Sequence, residues 1–418
     1  MKFPNLVRIK QNFNTNPVKD IPVTVRAELN RVKPQETIGK GQTVAITAGS
    51  RGITNLSLIL KEVVRELKKI GARPFIIPAM GSHGGATAAG QKKILEHYGV
   101  TREAMGVPIK SSMQVVQVGS TPGGIPVYLD RYASQADHIV VVNRVKPHTD
   151  FKGKIESGLM KIMAIGLGKQ QGADLYHNAI VRLGHYPVLT SVARVILKKS
   201  PIAFGLAVVE NQRDETEIIR AIPAAEIEKT EPQLLRKAKQ LLPQIPMNPI
   251  DLLIVDWMGK EISGTGMDQN VIGRTVISYH EPDTKIEVLR LFVRDLTTES
   301  EGNATAIGNA DFTTQRLVDK IDRHSTYMNA FTSSCPEAVR IPPYFDTDRE
   351  VIKTALGTIG LVEPQNARIV HIRDTLHLEE MYISQAMVKE AKKTKTISII
   401  GKQRPLKFGK DGNLISDL

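Results

Sequence analysis

A single cysteine, Cys335, stands in 418 residues. It has no partner for an internal disulfide, and no C-x-x-C pair exists for zinc or redox chemistry, so a reducing, cytoplasmic setting is expected. Aromatic residues are only 5% of the chain, and the basic residues are spread along it. Nucleic-acid binders usually show stacked aromatics or a local basic stretch, and neither stands out here. The densest basic run, AKKTKT at 391–396, is the pattern of a solvated helix end. No window supplies the roughly 18 apolar residues of a membrane span. The amino-terminal MKFPNLVRIKQNF also lacks the apolar core of a secretion signal. Neither a nucleic acid nor a membrane is therefore an expected partner.

Familiar chemical motifs are missing as well. GLGKQQG at 166–172 has GxGxxxG spacing, one residue too long for the dinucleotide fingerprint. Neither Gly168-Lys169-Gln170 nor Gly259-Lys260-Glu261 continues with the Ser or Thr of a phosphate-binding loop. HExxH, EF-hand and GxSxG patterns are absent. These gaps argue against ordinary ATP hydrolysis, a protein-only metal site and a serine hydrolase.

What the chain does have is an ordinary globular balance, with 24% charged and 41% hydrophobic residues. The formal charge of +13 suits a pocket for a small anion such as a carboxylate or phosphate. Short apolar runs alternate with amphipathic stretches, the pattern of a parallel sheet covered by helices. QTVAIT (42–47), RPFIIPAM (73–80), DHIVVVNRV (137–145) and IAFGLAVVE (202–210) are expected strands. Residues 55–70 and 86–98 are expected helices, the second ending at Gly99. A polar helix from 225 runs into three prolines by 249, before DLLIVDWMG starts a new strand. Helices are expected near 311–321 and 378–393, with a strand at 367–373 between them. The expected architecture is two α/β lobes with mostly parallel sheets and an active-site cleft between them. Residues 1–247 would form a catalytic and cofactor-binding domain and residues 248–418 a domain closing the cleft.

Three features fall at the predicted carboxyl ends of strands. They are Ser50 and Arg51 in AGSRG, His83 in GSHGGAT, and His148 in RVKPHTD. Ligands of open α/β sheets bind outside those strand ends, so three loops would face one pocket. Glycines let backbone approach a ligand, and an arginine can hold a carboxylate through two parallel hydrogen bonds. A histidine on a loop is more often a surface or structural residue, and only the joint placement raises these above that ordinary role. One run is unusually dense in basic groups: Arg144, Lys146, His148, Lys152, Lys154, Lys161, Lys169 and His177. Lys161 lies between apolar Met160 and Ile162. It is either partly buried and then paired, neutralised or modified, or it snorkels to solvent, and spacing alone leaves both open.

At these residues the chain resembles the nickel-pincer-nucleotide-dependent lactate racemase family. GSHGGAT with His83, the run RVKPHTDFKGKIESGLMKIMAIGLGK, and His177 in DLYH carry the likeness, with DWMGKEISGTGMD a looser match. The resemblance implies a racemase or epimerase, an isomerase acting on 2-hydroxy acids by hydride transfer. Its cofactor would be a nickel pincer nucleotide, a pyridinium mononucleotide that needs biosynthesis proteins for its supply. It implies that Lys161 anchors the pincer and His177 completes the square plane of the nickel, a geometry that metal favours. His83 and His148 become the catalytic acid/base pair, each a base in one direction and an acid in the other. Ser50 and Arg51 become substrate-binding residues, while Lys260 and Trp257 become cofactor-binding residues from the second lobe.

The family's lactate enzymes have an acidic residue three positions before the loop arginine and a proline after it, where this chain has Ala48 and Gly52. A smaller, uncharged loop points to a hydroxy acid larger than lactate, such as an aldonate epimerised at C2. Lactate racemase proper, an NAD-type 2-hydroxy acid oxidoreductase and a noncatalytic anion-binding paralogue are the alternatives. The missing dinucleotide fingerprint counts against the oxidoreductase, which also leaves Lys161 without a role.

Overall fold

The computed structural model describes residues 1–49, 52–149, 151–277 and 285–418. The fold is mixed α/β, as expected, and the chain divides into two compact units. One comprises Thr15–His148 and Lys152–Leu242; the other comprises Met1–Asn14, Thr149–Phe151 and Pro243–Leu418. The amino-terminal strand Asn5–Gln11 thus belongs with the carboxyl-terminal unit, where it pairs with Glu380–Ser384.

The first unit is built on a five-stranded sheet. Its order is Arg73–Pro78, Thr43–Ala48, His138–Arg144, Ile202–Glu210 and Thr216–Pro223. The first four strands run parallel and the last closes an antiparallel hairpin. Each apolar run expected as a strand is one. These runs are almost continuously apolar because a sheet covered on both faces offers no solvent side. Helix Leu56–Lys69 places Leu56, Ile59, Leu60, Val63, Val64 and Leu67 on one buried stripe, the helical recurrence seen in its sequence. Helix Ala88–His97 starts on the Thr87 hydroxyl, which accepts from the Gly90 amide at 3.0 Å. It ends before Gly99, whose φ of +71° is glycine's natural region.

The strand order has a consequence for function. From Thr43–Ala48 the chain crosses to Arg73–Pro78 on one side, while His138–Arg144 lies on the other. That reversal is a topological switch point, and the carboxyl ends of strands flanking such a point are where α/β sheets hold ligands.

In the second unit the sheet runs Val288–Leu296, Ile250–Met258, Ile369–Ile372, Glu380–Ser384, Asn5–Gln11, Ile397–Ile399, with Arg404–Pro405 also on Asn5–Gln11. The first three strands are parallel; the remaining pairings are antiparallel. The helix expected at 378–393 is instead strand Glu380–Ser384 followed by short helical turns. Ile383 lies opposite both Val370 and Val7, so one strand nearby in sequence and one at the amino terminus capture that segment. The helix expected at 311–321 is confined to Gln315–Asp319, after the two-residue strand Thr313–Thr314. Among the described residues no helix is long and apolar enough to cross a membrane.

Candidate functional site

His148 follows strand His138–Arg144 on a loop that folds back on itself. The Lys146 amide donates to the Ser157 carbonyl at 3.0 Å, and the Ser157 amide donates back at 3.2 Å. Inside this closed loop sits Glu156, fully buried. Its carboxylate accepts from the His148 amide at 2.7 Å and the Gly153 amide at 3.2 Å, and pairs with the Lys239 ammonium at 2.9 Å. Lys152 Nζ donates to the His148 carbonyl at 3.0 Å. The backbone of His148 is therefore gripped on both sides, which limits where its half-buried ring can point.

The electrostatics at this ring are one-sided. Burial pushes the His148 pKa well below the ordinary imidazole value, and the positive charges of Lys161, His185, Lys146 and Lys152 push it further. The ring is held neutral and can accept a proton. His185, at the start of helix His185–Lys199, brings its own ring to 6.3 Å from that of His148.

Lys161 ends the short helix Leu159–Lys161, which continues as a π-helical turn over Ile162–Gly166. Such turns are rare and recur at functional sites. The helix begins on a buried acid: the Met160 amide donates to Glu231 Oε2 at 3.0 Å. Burial pushes the Glu231 carboxyl up to about 7, although the Met160 and Leu159 amides pull it down. A Cβ at 158 would lie 2.4 Å from Glu231 Oε1, so any larger residue there would push the carboxyl aside. Lys161 is half-buried, and its charge is felt at His148, so these two expected site residues are brought into one electrostatic neighbourhood.

His177 is half-buried on helix Lys169–Leu183. Its neighbour Tyr176 is fully buried and its hydroxyl accepts from the Tyr128 amide at 2.9 Å, which fixes the rotation of the helix. Burial lifts the Tyr176 phenol to about 12, so it stays protonated. His83 lies exposed in the turn after strand Arg73–Pro78. That turn touches the π-helical segment, where the Gly81 amide donates to the Gly166 carbonyl at 3.4 Å. A Cβ on Gly166 would sit 2.7 Å from the Ala79 carbonyl, so the close approach depends on glycine.

Ser50 and Arg51 lie outside the described residues. Trp257 and Lys260 belong to the second unit, at the carboxyl end of strand Ile250–Met258. Trp257 is 39% exposed, with Lys320 Nζ 5.6 Å from its ring centroid. Lys260 Nζ donates to the Gly264 carbonyl at 2.8 Å and to Asn329 Oδ1.

Among the described residues no group of three or more His, Cys, Asp or Glu side chains is placed to hold a metal ion. A single imidazole such as His177 suits a metal whose other donors come from an organic group. The expected site set did not include Glu156, Lys239, Glu231 or His185. The sequence around them gives no signal, since Glu231 and Lys239 stand in a polar helical stretch and the partners Lys239 and Glu156 lie 83 positions apart.

Residues 5–185 match the family model described as the lactate racemase N-terminal domain. No curated protein sequence matches the chain. Among solved structures, that of the lactate racemase apoprotein from Thermoanaerobacterium thermosaccharolyticum aligns with a TM-score of 0.52 at 16% identity, covering 89% of this chain and 98% of that one. At that identity the likeness is one of fold. His83, His148, Lys161 and His177 all fall inside the matched segment, whereas Trp257 and Lys260 fall beyond it.

Proposed function

We propose that this chain, whose residues 5–185 match the lactate racemase N-terminal domain, is an isomerase inverting C2 of a 2-hydroxy acid. What supports this reading is the placement of His148, its backbone held by Glu156 and Lys152 on the loop after a strand that flanks the sheet's switch point, with burial and the Lys161 charge disfavouring its cationic form. An imidazole kept unprotonated among cations suits a base that must take a hydroxyl proton from an anionic substrate.

Lys161 would hold a nickel pincer nucleotide and His177 would supply the protein ligand to its metal. Bound there, that group supplies a hydride acceptor and donor, which lets C2 lose and regain its hydrogen by way of a 2-keto acid. The other steps belong to the protein. His148 takes the hydroxyl proton of one stereoisomer and His83 that of the other, each returning a proton in the reverse direction. Two bases are needed because one imidazole cannot serve both faces of C2. Ser50 and Arg51 would bind the carboxylate, with Arg51 suited to a two-pronged contact. Lys260 and Trp257 remain proposed cofactor contacts from the second unit. The absence of an acidic residue at Ala48 and of proline at Gly52 favours a substrate larger than lactate, such as an aldonate.

The test is a panel of lactate, longer 2-hydroxy acids and aldonates, incubated with protein purified from a host that makes the cofactor. Inversion at C2 with a larger acid preferred is the expected result. Lactate as best substrate would overturn the size reading, and net oxidation coupled to NAD would replace the isomerase by a dehydrogenase. His148→Gln and His83→Gln should each lower turnover about 10²- to 10⁴-fold, the usual contribution of a positioned acid or base.

A further inference from the structure

Helix Lys169–Leu183 begins with a residue that is anomalous twice over. Lys169 has a left-handed backbone, φ +53°, and its side chain is completely buried. A buried ammonium persists only if its protons are all accepted, and here three acceptors meet it. Lys169 Nζ donates to the Pro78 carbonyl and to Gln91 Oε1 at 3.2 Å, and pairs with Asp130 at 3.1 Å. Gln91 and Asp130 are likewise fully buried. One ammonium thereby joins the ends of strands Arg73–Pro78 and Pro126–Asp130, helix Ala88–His97 and the helix that carries His177.

The amide of Gln91 passes this constraint onward. With its oxygen committed to Lys169, its nitrogen donates to the Gly81 carbonyl at 2.9 Å and the His83 carbonyl at 3.2 Å. On the loop's other side, the His83 amide donates to the Met80 carbonyl at 3.1 Å. Beyond it, a Cβ on Gly84 would lie 2.6 Å from the backbone nitrogen of Gln91, and a Cβ on Gly90 only 1.9 Å from the Gly84 carbonyl. Residues 81–84 are thus clamped against the first turn of helix Ala88–His97, with the His83 ring left exposed.

We propose that Gln91, locked by Lys169, is the positioning residue that sets the direction of the His83 side chain. This rests on the reading of His83 as an acid/base group. Gln91 touches neither substrate nor cofactor. It fixes the backbone on both sides of Ser82, so the Cα–Cβ direction of His83 follows from the amide's orientation. The same ammonium starts the His177 helix, so the His83 loop and that helix share one anchor.

The experiment uses Gln91→Glu, which keeps an acceptor for Lys169 but turns the two donors to the loop into acceptors facing carbonyls. In the apoprotein, the His83 imidazole resonances should shift and broaden while those of His177 change little. In the cofactor-loaded enzyme kcat should fall about ten- to a hundredfold with KM nearly constant, as for a misplaced reacting group. Should the glutamate variant not fold, Gln91→Met tests the His83 resonances and kcat, without the His177 comparison because it also removes an acceptor from Lys169. In the wild-type protein the Gln91 side-chain amide protons should exchange slowly with solvent. Unmoved His83 resonances, an unchanged kcat, or rapid amide exchange would each overturn the proposal. If the loaded wild-type enzyme inverts no hydroxy acid, the functional reading fails, while the apoprotein resonances and amide exchange still decide the role of Gln91.

Discussion

The positive charge of Lys161 bears on the His148 imidazole. Burial is the larger cause of the lowered His148 pKa, and the Lys161 charge is the next. Removing that charge in a Lys161→Met apoprotein should therefore raise the His148 pKa toward, but not to, the ordinary imidazole value. An imidazole titration followed by NMR reads this directly, and an unchanged pKa would show that the two do not share a site. Glu231 gives a second residue-scale test. Its folded pKa is raised from 4.5 to about 7, so the folded state binds the extra proton. The stability it contributes is fully present below pH 4.5 and is lost as pH rises through about 7. Glu231→Gln should remove that slope, so that between pH 4.5 and pH 8 the wild type loses on the order of 3 kcal/mol relative to the variant. Parallel unfolding curves for both proteins from pH 5 to 8 would contradict it. None of this was readable from sequence. Glu231 lies in AEIEKTEPQLLRKAK, a stretch whose composition signals a polar helix, and its partner, the Met160 amide, lies 71 positions away.

Elements carry the legible part of the molecule. The strands at the heart of the first unit were visible because a doubly covered parallel sheet demands uninterrupted apolar runs, and VAIT, FIIP, IVVV and LAVV supply them. The loops at their ends were legible too, since GSHGG has no reason to be glycine-rich unless backbone must turn or approach closely. At Gly84 both reasons hold, with φ +68° and a Cβ position 2.6 Å from the backbone nitrogen of Gln91. At Gly85 only the first holds, with φ +61° and open space around the Cβ position. Gly84→Ala should then cost about 1 to 3 kcal/mol more than Gly85→Ala, the usual overpacking range. Denaturant unfolding of the two variants measures the difference, and equal losses would contradict the packing. The segment 378–393 failed for the opposite reason. Its strand is imposed by Val7 and Val370, hundreds of positions and a few positions away, and local periodicity carries no record of either.

At the scale of the whole chain, family likeness and fold likeness extend over different lengths. The sequence match ends at residue 185, whereas the structural likeness covers 89% of the chain. The proposed chemistry sits in the first unit, and the second unit's Trp257 and Lys260 rest on looser ground. The +13 charge, ambiguous by itself, acquires a local meaning where Lys146, Lys152, Lys161 and His185 bear on one imidazole. The proposed function requires that Lys161 and His177 hold a nickel-bearing nucleotide. It is tested most directly by intact mass and nickel content of protein from a host that makes the pincer, with a lactate racemase loaded in the same cells as control. The expected result is about one nickel per chain in the wild type, lost in both Lys161→Ala and His177→Ala. A nickel-free wild type beside a loaded control, or nickel retained in both variants, would contradict it.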